Sequence, residues 1–167
     1  MKTYSHLQEL TDNIPYIVMV GVGAALISLA PLPGSLPYVG AGAYAVYGVL
    51  GALWIMVFVC PYCAFFDTRS CPCGYGQIAP LFRRRAEVEC FSTQFKRHIP
   101  VIVPLWLIPP GLGGYSLYLE FSWLIVGLMV AFVVDAYLIL PLVSTKHGCV
   151  ECPQRETCPW MKGPQSK

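Results

Sequence analysis

Apolar residues in this chain do not alternate with polar ones. They gather into four long runs, 14–32, 39–59, 99–119 and 121–143, and the charges concentrate between them. A bilayer core is crossed by about 20 mostly apolar residues in helical form, so the pattern predicts an all-α integral membrane protein with four transmembrane helices in a single membrane domain. Asp135 is the only charged residue inside the four runs. Four wholly buried soluble helices would require more polar covering surface than the rest of the chain supplies.

The third run is crowded with helix breakers. Pro100, Pro104, Pro109 and Pro110 are followed by Gly111, Gly113 and Gly114. Each proline frees a carbonyl that a spanning helix tolerates only if a neighbouring group satisfies it. One reading places a turn at 109–114, with a short third helix and a long, tilted fourth helix starting near Tyr115; the other is a re-entrant segment. The basic tail favours a true crossing. The first run, flanked by Glu9 and Asp12 and longer than the apolar core of a secretory signal, is expected to be retained as a span.

Composition sharpens this picture. Of 167 residues, 56% are hydrophobic and 12% charged, against about 25% charged in an ordinary soluble domain. The net charge of +2 excludes a global basic field for nucleic acid. The Lys and Arg residues fall in three places: Lys2; a central loop holding Arg69, Arg83, Arg84, Arg85, Lys96 and Arg97; and a tail holding Lys146, Arg155, Lys162 and Lys167. By the positive-inside rule both termini, the loop 60–98 and the tail 144–167 are expected in the cytoplasm, most simply of a prokaryotic plasma (inner) membrane. Tyr16, Tyr38, Trp54, Tyr118 and Trp123 are placed to form interfacial belts. Arg83, Arg84 and Arg85 read as an anchor on anionic lipid or, alternatively, a surface for a partner. Small residues at Gly21, Gly23, Gly40, Gly42, Ala45, Gly48 and Gly51 allow close helix approach, within the bundle or against another subunit.

All eight cysteines fall in the two basic segments. A reducing compartment disfavours disulfides, so closely spaced thiols there point to metal ligation or redox chemistry. The loop pairs Cys60-Pro-Tyr-Cys63 and Cys71-Pro-Cys73 can bring four thiolates around one tetrahedral ion, with Gly74 and Gly76 allowing a tight backbone turn. The tail supplies Cys149, Cys152 and Cys158, one short of a full set. Cys90 or His147 is the candidate fourth ligand, and Cys90 would thereby tie loop to tail. The ten-residue tail pattern Cys149-x2-Cys152-Pro-x4-Cys158 resembles part of the auxiliary iron–sulfur ligand set in the SPASM extension of radical-SAM enzymes, although Trp160 and Met161 stand where a further cysteine is expected. That resemblance implies an iron–sulfur cluster as the alternative to zinc.

Asp135, deep in the fourth run, is a candidate for proton or ion handling, or a hydrogen-bond acceptor for a tyrosine such as Tyr44 or Tyr47. No Ser–His–acid set, phosphate loop or HExxH motif is present, so no catalytic activity of its own is expected. Four-pass disulfide-forming quinone reductases have a similar helix count but carry their working cysteines on the opposite side. Four-pass protein acyltransferases have a similar layout, but their Asp-His-His-Cys signature is absent. The sequence therefore predicts an accessory or anchor subunit of a larger membrane complex. Its partners are lipid and other membrane or cytoplasmic subunits, and its docking cap is stiffened by zinc. The alternative is an iron–sulfur protein passing electrons between a cytoplasmic donor and a quinone or redox partner.

Overall fold

The computed structural model describes residues 3–148, 152–156, 158 and 159 of the chain, and those residues contain helices and no strand. The helices are α1 (His6–Ser28), α2 (Leu36–Phe58), α3 (Tyr75–Ile78), α4 (Phe91–His98), α5 (Pro104–Leu119), α6 (Trp123–Val134) and α7 (Leu140–Val143). Short 3-10 turns adjoin them at Cys60–Tyr62, Ala79–Leu81, Val88–Cys90 and Ile99–Ile102, and π turns at Asp135–Ile139 and Ser144–Gly148. Four helical runs are long and apolar enough to cross a membrane: His6–Ser28, Leu36–Tyr62, Val88–Leu119 and Trp123–Lys146. Large apolar side chains such as Val39, Val49, Leu107 and Leu124 are exposed along them, as expected of surfaces covered by lipid.

Helix α1 starts eight residues before the apolar run because its end is capped locally. The Ser5 N–H donates to Gln8 Oε1 (3.0 Å), and the Gln8 N–H donates back to Ser5 Oγ (3.4 Å). This reciprocal capping box satisfies two orphan donors at the helix start. Pro31, Pro33 and Gly34, the last at φ +63°, separate α1 from α2.

The largest departure from expectation is in the third run. Helix α5 continues through Pro109, Pro110 and the following glycines to Leu119, and the chain turns only at 120–122. The turn expected at 109–114 is absent because other helices supply the missing hydrogen bonds. In a regular helix the Leu105 carbonyl accepts from residue 109 and the Trp106 carbonyl from residue 110, and proline can donate to neither. The Tyr44 hydroxyl instead donates to the Leu105 carbonyl (2.7 Å), and the Tyr137 hydroxyl to the Trp106 carbonyl (3.2 Å). At the 3-10 turn before Pro104, the Tyr47 hydroxyl donates to the Val101 carbonyl. Three tyrosines thus offset the prolines of one helix, and the segment runs unbroken across its apolar length.

Packing divides the chain into two compact units. The first comprises 1–13, 52–100 and 142–167, and the second 14–51 and 101–141. The second is the helical bundle. Its core is Met19, Leu26, Ile27, Tyr44, Leu105, Ile125, Phe132 and Ala136. Several of the small residues admit close packing within this unit. Ile27 lies 3.3 Å from a Cβ built at Gly40, and Ile102 lies 3.2 Å from one at Gly51, whereas Gly21 and Gly42 face open space.

Gly23 makes room for the buried ring of Tyr44, since a Cβ there would stand 2.6 Å from its hydroxyl. Gly23→Ala is therefore expected to push Tyr44 off the Leu105 carbonyl and to destabilise the bundle by about 1–3 kcal/mol. Resistance to denaturation by sodium dodecyl sulfate would measure the loss, and Gly21→Ala serves as the neutral control.

Two of the expected belt residues make contacts within the chain. Tyr16 donates its hydroxyl to the Gly48 carbonyl (2.7 Å), and Trp54 packs on Phe58, with ring centroids 4.3 Å apart. Tyr38, Tyr118 and Trp123 are exposed, as a belt requires, at 72%, 86% and 78%.

Candidate metal centre

The cysteine pairs are held by turns that follow from their flanking residues. Cys60 opens a 3-10 turn directly after α2, with Pro61 fully buried beside it, and the Cys63 N–H closes the turn on the Cys60 carbonyl (3.0 Å). Cys71 opens a second turn, closed by the Gly74 N–H at 3.1 Å. Gly74 sits in the left-handed region at φ +73°, a conformation that favours glycine. Gly76 is required for a different reason: a Cβ there would collide with the Phe65 carbonyl and stand 3.0 Å from the Cys71 Cβ.

Backbone amides point at the sulfurs. Nearby backbone amides favour the ionised thiol, that of Phe65 at Cys63 and those of the 73–76 turn at Cys71. In the tail, the Cys152 thiol receives the Gln154 N–H. Each of these three sulfurs accepts from the amide two residues on, an arrangement that stabilises a thiolate once it forms. In the metal-free chain burial dominates: it pushes the Cys63 thiol up to about 12 and raises Cys71 and Cys152 as well. A divalent cation bound here would displace those protons and supply the missing positive charge.

Loop and tail thiols belong to one neighbourhood. Cys60 is within electrostatic reach of Cys71, Cys63 and Cys73, while Cys63 is also within reach of Cys152 and Cys158. Cys158 is buried with Val59 and Phe91 in a small core, against which Cys63, Tyr62, Ile55 and Phe95 pack. The described cysteines are free thiols. Among the described residues, no three His, Cys, Asp or Glu side chains are already gathered as a metal-holding group. The Cys90 sulfur lies 3.9 Å from Glu87 Oε2. Cys149 and the side chain of His147 lie outside the described residues.

The residue that fastens tail to loop is Gln154, which the sequence pattern does not single out. It is 6% exposed. Its Oε1 accepts the Ala64 N–H (2.8 Å), and its Nε2 donates to the Tyr62 and Val88 carbonyls (3.1 and 3.0 Å). The side-chain amide thereby straddles Cys63 on its two sides. The amino-terminal arm is fastened from another direction. Asn13 Nδ2 donates to the Cys73 carbonyl (3.0 Å), and Gln77 Nε2 to Glu9 Oε1 (2.6 Å), with Glu9 also paired to His6 at 3.1 Å. Glu9, read from sequence as a polar flank of the first span, is buried at 9% exposure.

Arg83, Arg84 and Arg85 are exposed, and the Arg83 guanidinium lies 5.3 Å from the centre of the Phe58 ring. Exposed Ile78, Leu81 and Phe82 precede them. Apolar side chains beside a basic run make a surface suited to a lipid interface. His98 stacks on Phe58 with centroids 5.0 Å apart.

Asp135 begins the π turn of the fourth run and is buried, and its Oδ2 has no hydrogen-bond partner among the described residues. Neither tyrosine expected to serve it does so, because Tyr44 and Tyr47 are committed to the carbonyls of the proline-rich run.

Fold and site together define a four-helix apolar protein with a cysteine-rich polar unit. No protein-family profile, curated protein or solved structure matches the chain.

Proposed function

We propose that this chain is a small accessory or anchor subunit of a membrane complex. Its cysteine-rich unit faces the cytoplasm, holds zinc through thiolates and serves as a rigid docking cap. The observation that carries the reading is the docking of the cysteine-bearing tail on the cysteine-bearing loop: Cys158 is buried in the small core on which Cys63 packs, and Gln154 bonds the backbone on both sides of Cys63. Zinc suits such a set because it is bound by thiolates without redox chemistry, and closed cysteine sites rigidify short loops that lack a large core. The core that joins tail to loop is small: Val59, Phe91 and Cys158 with four partly buried neighbours. A metal would supply the order that apolar burial does not. The clustering of Lys and Arg in the amino-terminal arm, the loop 60–98 and the tail 144–167 supports the cytoplasmic side, and the absence of a catalytic motif supports an accessory role. Lipid is the partner of the bundle and of the Arg83–Arg85 surface.

The test is purification from the native membrane in mild detergent, with and without a zinc chelator, followed by identification of co-purifying chains. Stoichiometric partners that dissociate on chelation are the expected result. A chain that purifies alone and metal-free would overturn the proposal.

A further inference from the structure

Two basic runs of the loop, Arg83–Arg85 and Lys96–His98, are separate in the sequence, but one aromatic ring brings them together. Phe58, which ends α2, carries the Arg83 guanidinium 5.3 Å from its ring centre and stacks with the His98 ring at 5.0 Å between centroids. Two backbone bonds hold the arginine run in that place. The Arg83 N–H donates to the Ala79 carbonyl (3.1 Å), and the Ala86 N–H, just past Arg85, donates to the Pro61 carbonyl (2.9 Å) beyond the end of α2. In α4, Phe91 and Phe95 pack into the small core, while Lys96 and Arg97 in its last turn are exposed. Among the described residues, Arg83, Arg84, Arg85, Lys96 and Arg97 form no ion pair. Glu87 and Glu89 stand between the two runs, so five cations face two carboxylates and the surface stays positive. Its apolar flank is Ile78, Leu81 and Phe82, with Leu81 80% exposed.

We infer that the two basic runs form one headgroup site, at the end of α2, for an anionic phospholipid. The inference rests on the lipid part of the reading above, which it deepens, and not on the metal. Guanidinium and ammonium groups donate to phosphate oxygens, and cations gathered where a span ends attract anionic lipid. A soluble phosphate would satisfy the cations and leave Ile78, Leu81 and Phe82 in water. A phospholipid answers both halves of the surface, because its phosphate meets the cations while its acyl chains cover the apolar flank. The whole site belongs to the cysteine-rich unit, within 52–100. Lipid bound there would seat that unit on the membrane surface through contacts of its own, in addition to the spans.

The experiment uses the full chain in mild detergent, with native mass spectrometry counting bound phosphatidylglycerol or phosphatidylcholine of the same acyl chains. Phosphatidylglycerol is expected to be retained about tenfold more tightly. Each cation near an anionic headgroup contributes a factor of about five. Neutralising either run, by Arg83→Gln with Arg84→Gln and Arg85→Gln, or by Lys96→Gln with Arg97→Gln, should therefore lower that retention at least about fivefold. Replacing the three arginines by lysine keeps the charge and should keep most of the preference, which separates loss of charge from loss of fold. Equal retention of the two lipids by the wild-type chain overturns the inference, and a loss confined to one run overturns the joint site. Displacement of phosphatidylglycerol by excess inorganic phosphate assigns the site to a soluble anion and overturns the lipid. Zinc content and co-purifying chains are read on the same preparation. Their absence beside an intact lipid preference overturns the accessory-subunit reading alone, and their presence without a lipid preference overturns this inference alone.

Discussion

Replacing Gln154 by alanine is expected to release the tail from the loop. The side chain is buried and holds the Ala64 N–H and the Tyr62 and Val88 carbonyls. Each buried backbone group left without a partner costs about 1–3 kcal/mol, so the variant should lose on the order of 3 kcal/mol in the docking of this segment. The loss is local, because the helical bundle has its own core. In metal-free protein the maleimide reactivity of Cys152 and Cys158 should then rise roughly a hundredfold, at about 1.4 kcal/mol per tenfold change, while circular dichroism of the helices stays unchanged. Unaltered reactivity would show that Gln154 does not fasten the tail. Metal binding should weaken in parallel, since the ligands no longer arrive pre-arranged.

The second large effect is expected in the bundle. Tyr44→Phe removes the hydroxyl that serves the Leu105 carbonyl and leaves that carbonyl facing a proline with no N–H to give. Hydrogen bonds between membrane helices average well under those in water-soluble cores, but here the acceptor has no local substitute. A loss of about 1–2 kcal/mol is expected on that basis. A double-mutant cycle isolates the cause. In a Pro109→Ala background the N–H restored at position 109 can take the carbonyl, and the cost of Tyr44→Phe should fall below about 0.5 kcal/mol. An equal cost in both backgrounds would contradict the compensation. Tyr137→Phe with Pro110→Ala forms the matching pair at Trp106.

These two residues mark where the sequence could and could not be read. The four apolar runs were legible because lipid solvation demands long, nearly uncharged helices, and the structure has four such helices near the expected positions. The early start of α1 was also written locally, in the Ser5-x-x-Gln8 capping box, although the apolar pattern drew attention away from it. The continuity of α5 was not legible. Whether Pro109 and Pro110 end a helix depends on hydroxyls from Tyr44 and Tyr137, which are distant in sequence and whose aim is set by packing. The same tyrosine was expected to serve Asp135, but a carbonyl orphaned by proline has the stronger geometric claim on it. In the cysteine-rich unit, the pairs and their glycine turns were visible as spacing. The docking of the tail against the loop was not, because it depends on a glutamine amide inserted across about 90 residues of chain and on the burial of Cys158 in the small core on which Cys63 packs.

The capture of metal by this unit is tested most directly by elemental analysis and visible absorption of the chain purified from its native membrane without added metal. The account predicts a colourless protein carrying stoichiometric zinc. A metal-free preparation, or a brown one absorbing in the visible as iron–sulfur clusters do, would contradict it.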